Sequence, residues 1–114
     1  MFGSGTVKGV GVREAVGLRE GGAVLVDVRE DDEWVAGHAP GAVHVPLGEV
    51  GRAADGFVGC RVLVVCRSGN RSAKAAKALA GAGVDVTNVT GGMSSWVEAG
   101  LPVVVDDGSP GTVA

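Results

Sequence analysis

The run Val62-Leu63-Val64-Val65 is unbroken in its apolar character and mostly β-branched, and Ala23-Val24-Leu25-Val26 is a second run of the same kind. A strand with one face in water alternates apolar and polar side chains, so continuous runs like these predict strands covered on both faces. They belong at the centre of a sheet. Shorter apolar runs follow at Ala42-Val43-His44-Val45 and at 84–89, and helical stretches fall at 30–36 and 71–82. This alternation predicts an α/β domain with a mostly parallel sheet. Gly21-Gly22, Pro40-Gly41, Gly81 with Gly83, and Gly91-Gly92 punctuate it as turns or helix ends. In the helix over 71–82 the expected buried face is Ala73, Ala76, Leu79 and Ala80, small enough to let the helix approach the sheet closely.

A chain of 114 residues with 46% hydrophobic content supports one compact core. The expected division is a flexible N-terminal tail at 1–5, a single domain at 6–105 and a flexible C-terminal tail at 106–114, the ends being rich in Gly, Ser and Asp. A net charge of −3 with two Trp, two Phe and no Tyr gives neither the basic footprint nor the stacking surface of a nucleic-acid binder. Small anions or a protein are the expected partners. No apolar run approaches the ~18 residues of a membrane span, and Met1-Phe2-Gly3-Ser4-Gly5 lacks a signal-peptide layout, which points to the cytoplasm without membrane association. Cys60 and Cys66 flank one strand, which holds them roughly 20 Å apart and argues against a disulfide. With no Cys-x-x-Cys or His-x-x-x-His spacing, the two cysteines and two histidines make a poor zinc set.

Chemistry concentrates in Cys66-Arg67-Ser68-Gly69-Asn70-Arg71-Ser72, which joins a central strand to a helix. The carboxyl end of a central strand is where open α/β sheets bind ligands. A short Gly-containing loop entering a helix turns backbone N–H groups inward, and these add to the positive end of the helix dipole as an anion cradle. In such a cradle a thiol pKa drops from about 8.5 toward neutrality, so Cys66 becomes a nucleophile with no histidine base. Arg67, Arg71, Lys74 and Lys77 make this stretch basic, whereas Asp27, Glu30, Asp31, Asp32 and Glu33 make the earlier strand end acidic. Arg71 is expected to close the loop and hold an anion, and Arg67 to meet the donor's oxyanion or point to solvent. Asp27 and Arg29 lie at the same sheet edge, where they either brace the loop or form a local salt bridge. Glu30 to Glu33 suit a helix start. His38 and His44 read as structural, Trp34 and Trp96 as core anchors, and Cys60 as an incidental cysteine.

In its motifs, the chain resembles the rhodanese family. The resemblance rests on Val26-Asp27-Val28-Arg29-Glu30, Gly37-His38-Ala39-Pro40-Gly41-Ala42, Val65 to Ser72, and Gly91-Gly92-Met93-Ser94-Ser95-Trp96, in that order. It implies a three-layer sandwich with a central parallel sheet of about five strands and helices on both faces. It also implies that Cys66 carries sulfur as a persulfide, with thiosulfate or a similar sulfane donor, a thiol or cyanide acceptor, and no metal or organic cofactor. A persulfide-relay module serving a protein acceptor uses Cys66 identically. Tyrosine phosphatases use a Cys-x5-Arg loop sized for phosphate. Here the spacing from Cys66 to Arg71 is Cys-x4-Arg, a smaller ring better suited to one sulfur atom.

Overall fold

Strand β4 (Arg61–Val65) buries every residue after its first, and the sheet is built outward from it. The computed structural model describes residues 7–114; the expected N-terminal tail at 1–5 lies outside the described residues. In chain order the other elements are β1 (Gly9–Val10), α1 (Val12–Glu20), β2 (Val24–Asp27), α2 (Asp31–Ala36), β3 (Val43–His44), α3 (Val50–Ala53), α4 (Asn70–Gly81), β5 (Asp85–Val89) and α5 (Gly92–Glu98). The strands lie in the order β1-β5-β4-β2-β3, and every pairing is parallel. The two continuous apolar runs are therefore neighbours in the interior of the sheet.

Side chains alternate along each strand, so β4 feeds two cores. Val62 and Val64 pack with Ala75, Ala76 and Leu79 of α4 and with Val50 of α3. Leu63 and Val65 pack with Ala15 of α1 and with Met93 and Trp96 of α5. The result is the expected three-layer α/β sandwich with five strands. Pairing of Asp27 with Val65 aligns the ends of β2 and β4, so the segments that follow them emerge side by side.

One local expectation is corrected. The buried face of α4 is Ser72, Ala75, Ala76 and Leu79, while Ala73 is half-buried and Ala80 exposed. The helix is turned by about one residue position, which brings the Ser72 hydroxyl inward to the sulfur of Cys66. Near the C-terminal end, Gly111 and Thr112 run against the end of α2 and the segment before them. Thr112 N–H donates to Ala36 O at 2.9 Å and Gly111 N–H to Val103 O at 2.9 Å. The approach depends on Gly37, where a Cβ would stand 2.3 Å from Thr112 O. Among the described residues, no helix is long and apolar enough to cross a membrane.

Candidate active site

Residues 66–69 form the whole turn between β4 and α4, so the chain must reverse tightly at the sheet edge. Gly69 allows this with φ 104°, and a Cβ there would lie 2.3 Å from Thr90 O. Its N–H donates to Cys66 Sγ at 3.1 Å, and the Ser72 hydroxyl donates to the same sulfur at 3.3 Å. The hydroxyl also lies 3.2 Å from Gly69 O, so its single proton serves the sulfur when the sulfur is anionic and the carbonyl otherwise. Cys66 is only 1% exposed. Burial pushes its thiol up, but the Ser72 hydroxyl and the N–H groups of Ser72, Gly69 and Ser68 outweigh this and hold it below the ordinary thiol value.

The outer side of the loop is held by α5. Met93 N–H donates to Cys66 O at 2.8 Å and Ser94 N–H to Arg67 O at 3.0 Å. With the carbonyls drawn outward, the loop N–H groups face the sulfur. Gly92 makes the contact possible: it has φ 62°, and a Cβ on it would lie 2.5 Å from Arg67 O. From β5, Asn88 Nδ2 donates to Gly69 O at 3.4 Å. Gly91-Gly92, expected only as punctuation, opens α5; β1, α1, α3 and α5 are the elements absent from the expected order. Gly92→Ala is expected to destabilise the fold by about 2–4 kcal/mol, from left-handed strain plus backbone overlap. A urea-unfolding midpoint unchanged from the parent would refute this.

Arg71 does not point free into the loop. Its Nη1 and Nη2 donate to Glu33 Oε1 and Oε2 at 2.6 and 2.9 Å. Hydrogen bonding to Arg71 holds Glu33 down at about 2, and the same bond raises Arg71 above its ordinary value. Glu33 also accepts from Glu30 N–H at 3.0 Å in the capping box that opens α2. It is thus a site residue that sequence reasoning identifies only as a helix-start acid. Arg67, Ser68 and Asn70 are exposed at the rim. Lys74 and Lys77 are exposed on the helix.

Asp27 and Arg29 are fully buried and bonded to each other, Arg29 Nε to Asp27 Oδ1 at 3.0 Å and Arg29 Nη2 to Asp27 Oδ2 at 2.8 Å. Arg29 Nη2 also donates to Gly37 O at 2.7 Å. The pair ties the end of β2 to the end of α2 and, among the described residues, makes no side-chain hydrogen bond to the Cys66 loop. Of the two roles considered, the geometry is that of the local salt bridge. His38 and His44 both stack on Trp34, at 3.6 and 4.7 Å between centroids, and each is anchored by a backbone carbonyl, Trp34 O and Arg29 O respectively. Trp34 is half-buried in this stack, unlike the buried core residue Trp96. Cys60 is half-buried at the opposite end of β4, and both cysteines are free.

The family model for the rhodanese-like domain matches residues 12–99. A curated relative, the thiosulfate sulfurtransferase GlpE of Pseudomonas fluorescens, is 42% identical over 86 residues, which is 72% of this chain and 77% of that one. The putative sulfur carrier protein YrkF of Bacillus subtilis is 40% identical over 74 residues, or 63% of this chain; the match spans only 40% of YrkF's length. Among solved structures, a rhodanese-related protein from Thermoplasma volcanium superposes with a TM-score of 0.78 at 29% identity, covering 87% of this chain and 99% of that one. The family match runs from α1 to α5 and so encloses the β4–α4 loop and both helical layers: this chain belongs to the rhodanese-like domain family.

Proposed function

We propose that the chain is a sulfurtransferase that carries sulfane sulfur as a persulfide on Cys66. The observation that carries this reading is the donor set around one buried sulfur: Gly69 N–H at 3.1 Å and the Ser72 hydroxyl at 3.3 Å, with no histidine base required. The Cys66 thiolate attacks the outer sulfur of thiosulfate, the sulfur–sulfur bond of the donor breaks, and sulfite leaves with the electron pair. The three negative charges of the reactants become one on the Cys66 persulfide and two on sulfite. Attack on the terminal sulfur by cyanide or an acceptor thiolate then restores the Cys66 thiolate. The inward N–H groups stabilise both anionic forms of the cysteine. Free thiols suit a reducing compartment, and the cytoplasm is the proposed location. Mass spectrometry after exposure to thiosulfate tests the reading: one sulfur gained on Cys66 supports it, and an unmodified Cys66 with every sulfane donor overturns it.

A persulfide relay to a protein acceptor is the second reading, favoured by the similarity to a putative sulfur carrier. Slow turnover with cyanide, together with fast transfer to a partner protein, distinguishes it from a free-standing enzyme. Hydrolysis of aryl phosphates is expected to be negligible, because the Cys-x4-Arg ring is small and the Arg71 fork is already occupied by Glu33.

Arg67 is the loop cation expected to meet the leaving oxyanion. Arg67→Ala should cost about 1.5–3 kcal/mol in kcat/KM for thiosulfate, roughly ten- to a hundredfold, as one charge-assisted contact is lost. The pH at which Cys66 alkylation rises should barely move. Steady-state kinetics with varied thiosulfate measures the first, and unchanged kcat/KM would remove Arg67 from donor recognition.

A further inference from the structure

Arg71 is the cation built into the end of the loop, yet its guanidinium is closed bidentately by a carboxylate from a different helix, α2. The Glu33 side chain is 16% exposed and the Arg71 side chain 33%, so the pair sits at the rim, partly shielded from water. Glu33 has its own anchor in Glu30 N–H and does not depend on Arg71 for its place on α2. The interaction between Arg71 and the Cys66 sulfur adds to the charges that hold Arg71 protonated, so the two groups share a field. Glu30 acts on Arg71 as well, and Glu30, Asp31, Asp32 and Glu49 line a depression on the α2 side. Arg67 alone of the two loop arginines has no carboxylate partner among the described residues.

A dianionic donor approaching Cys66 thus meets a neutralised Arg71 and an acidic flank. We propose that Glu33 sets donor specificity by cancelling the charge of Arg71, so that the site favours sulfur donors with a single negative charge, such as organic thiosulfonates and thiol persulfides, over dianionic thiosulfate. This rests on the persulfide reading of Cys66 and deepens it. Glu33 acts through Arg71 and touches neither the donor nor the sulfur, so it is a positioning and charge-setting residue. A purely architectural Glu33, which only caps α2 and tethers Arg71, makes the opposite prediction for its removal.

The variant that separates the two is Glu33→Gln. One oxygen of Glu33 accepts from both Glu30 N–H and Arg71 Nη1, and a glutamine oxygen can keep those two bonds; the charge is lost together with the acceptor of Arg71 Nη2, whose place the amide NH2 takes, leaving that arm of the guanidinium free to meet a donor. Glu33→Gln is expected to lower the KM for thiosulfate about three- to tenfold and the KM for an aryl thiosulfonate by roughly the square root of that factor, because the interaction scales with donor charge. Arg71→Gln should raise the thiosulfate KM, and the double variant, again a neutral pair, should return it close to the parent value. The charge effect is also read without sulfur chemistry, as the ratio of Cys66 alkylation rates with anionic iodoacetate and neutral iodoacetamide. That ratio should rise in Glu33→Gln and fall in Arg71→Gln.

An unchanged or lower ratio in Glu33→Gln, or a double variant as impaired as Arg71→Gln, overturns the proposal. If the parent protein takes up no sulfur from any donor, the Cys66 reading fails, while the alkylation ratio still decides the role of Glu33.

Discussion

Cys66→Ser is expected to lower sulfur transfer by at least about a thousandfold, and Cys60→Ser to leave it within about twofold of the parent protein. The difference is one of environment. Cys66 has the Gly69 N–H and the Ser72 hydroxyl on its sulfur, and its thiol lies below the ordinary value. A serine there meets the same donors, but an alcohol remains protonated at neutral pH and its oxygen cannot carry a second sulfur reversibly. Cys60 precedes β4, and among the described residues no side-chain or backbone donor is directed at its sulfur. The measurement is thiosulfate:cyanide turnover beside the mass of each variant after sulfur loading. Comparable loss in both variants would mean a mechanism that needs two cysteines. The depressed thiol has a further consequence: iodoacetamide labelling of Cys66 should persist to lower pH than labelling of an ordinary cysteine thiol such as that of glutathione.

Arg29→Met is expected to remove about 3–5 kcal/mol of stability, a large share of the 5–15 kcal/mol typical of a domain. Asp27 would be left as a buried carboxylate without its partner, and Gly37 O would lose its donor. The double variant Asp27→Leu with Arg29→Met removes both charges and should recover most of the loss, since an apolar pair of similar volume replaces a buried ion pair at little cost. Chemical denaturation of the three proteins gives the comparison. If the double variant were as unstable as Arg29→Met, the pair would owe its importance to the backbone contacts of Asp27 rather than to compensation of charge.

The order of elements from β2 to β5 was legible because burial on both faces leaves a local mark: Val24 to Val26 and Val62 to Val65 contain no polar alternation, and they occupy the interior of the sheet. The loop was legible for a related reason. An anion cradle is made by consecutive backbone N–H groups and the helix start that follows, so Cys66, Gly69 and Ser72 announce it from within seven residues of chain. The missed elements, β1, α1, α3 and α5, carry a weaker local signature, β1 and α3 being only two and four residues long, and the start of α5 is hidden in a Gly-Gly pair that locally resembles a turn.

Contacts across the layers left no such mark. Glu33 and Arg71 stand 38 residues apart, and in the sequence each has a complete local explanation, one as a helix-start acid and the other as a loop cation. Only the fold, which brings Glu33 of α2 within hydrogen-bond reach of Arg71 at the start of α4, converts them into a neutral pair and removes Arg71 from the free charges of the site. Gly92 against Arg67 O, Asn88 beneath Gly69 O, and Thr112 against Gly37 are of the same kind. Local sequence by itself determined strands β2 to β5 and the loop that holds Cys66, because those depend on neighbours along the chain. The tertiary structure alone decided which charges remain available to a donor, because a charge is neutralised by whatever the fold places beside it.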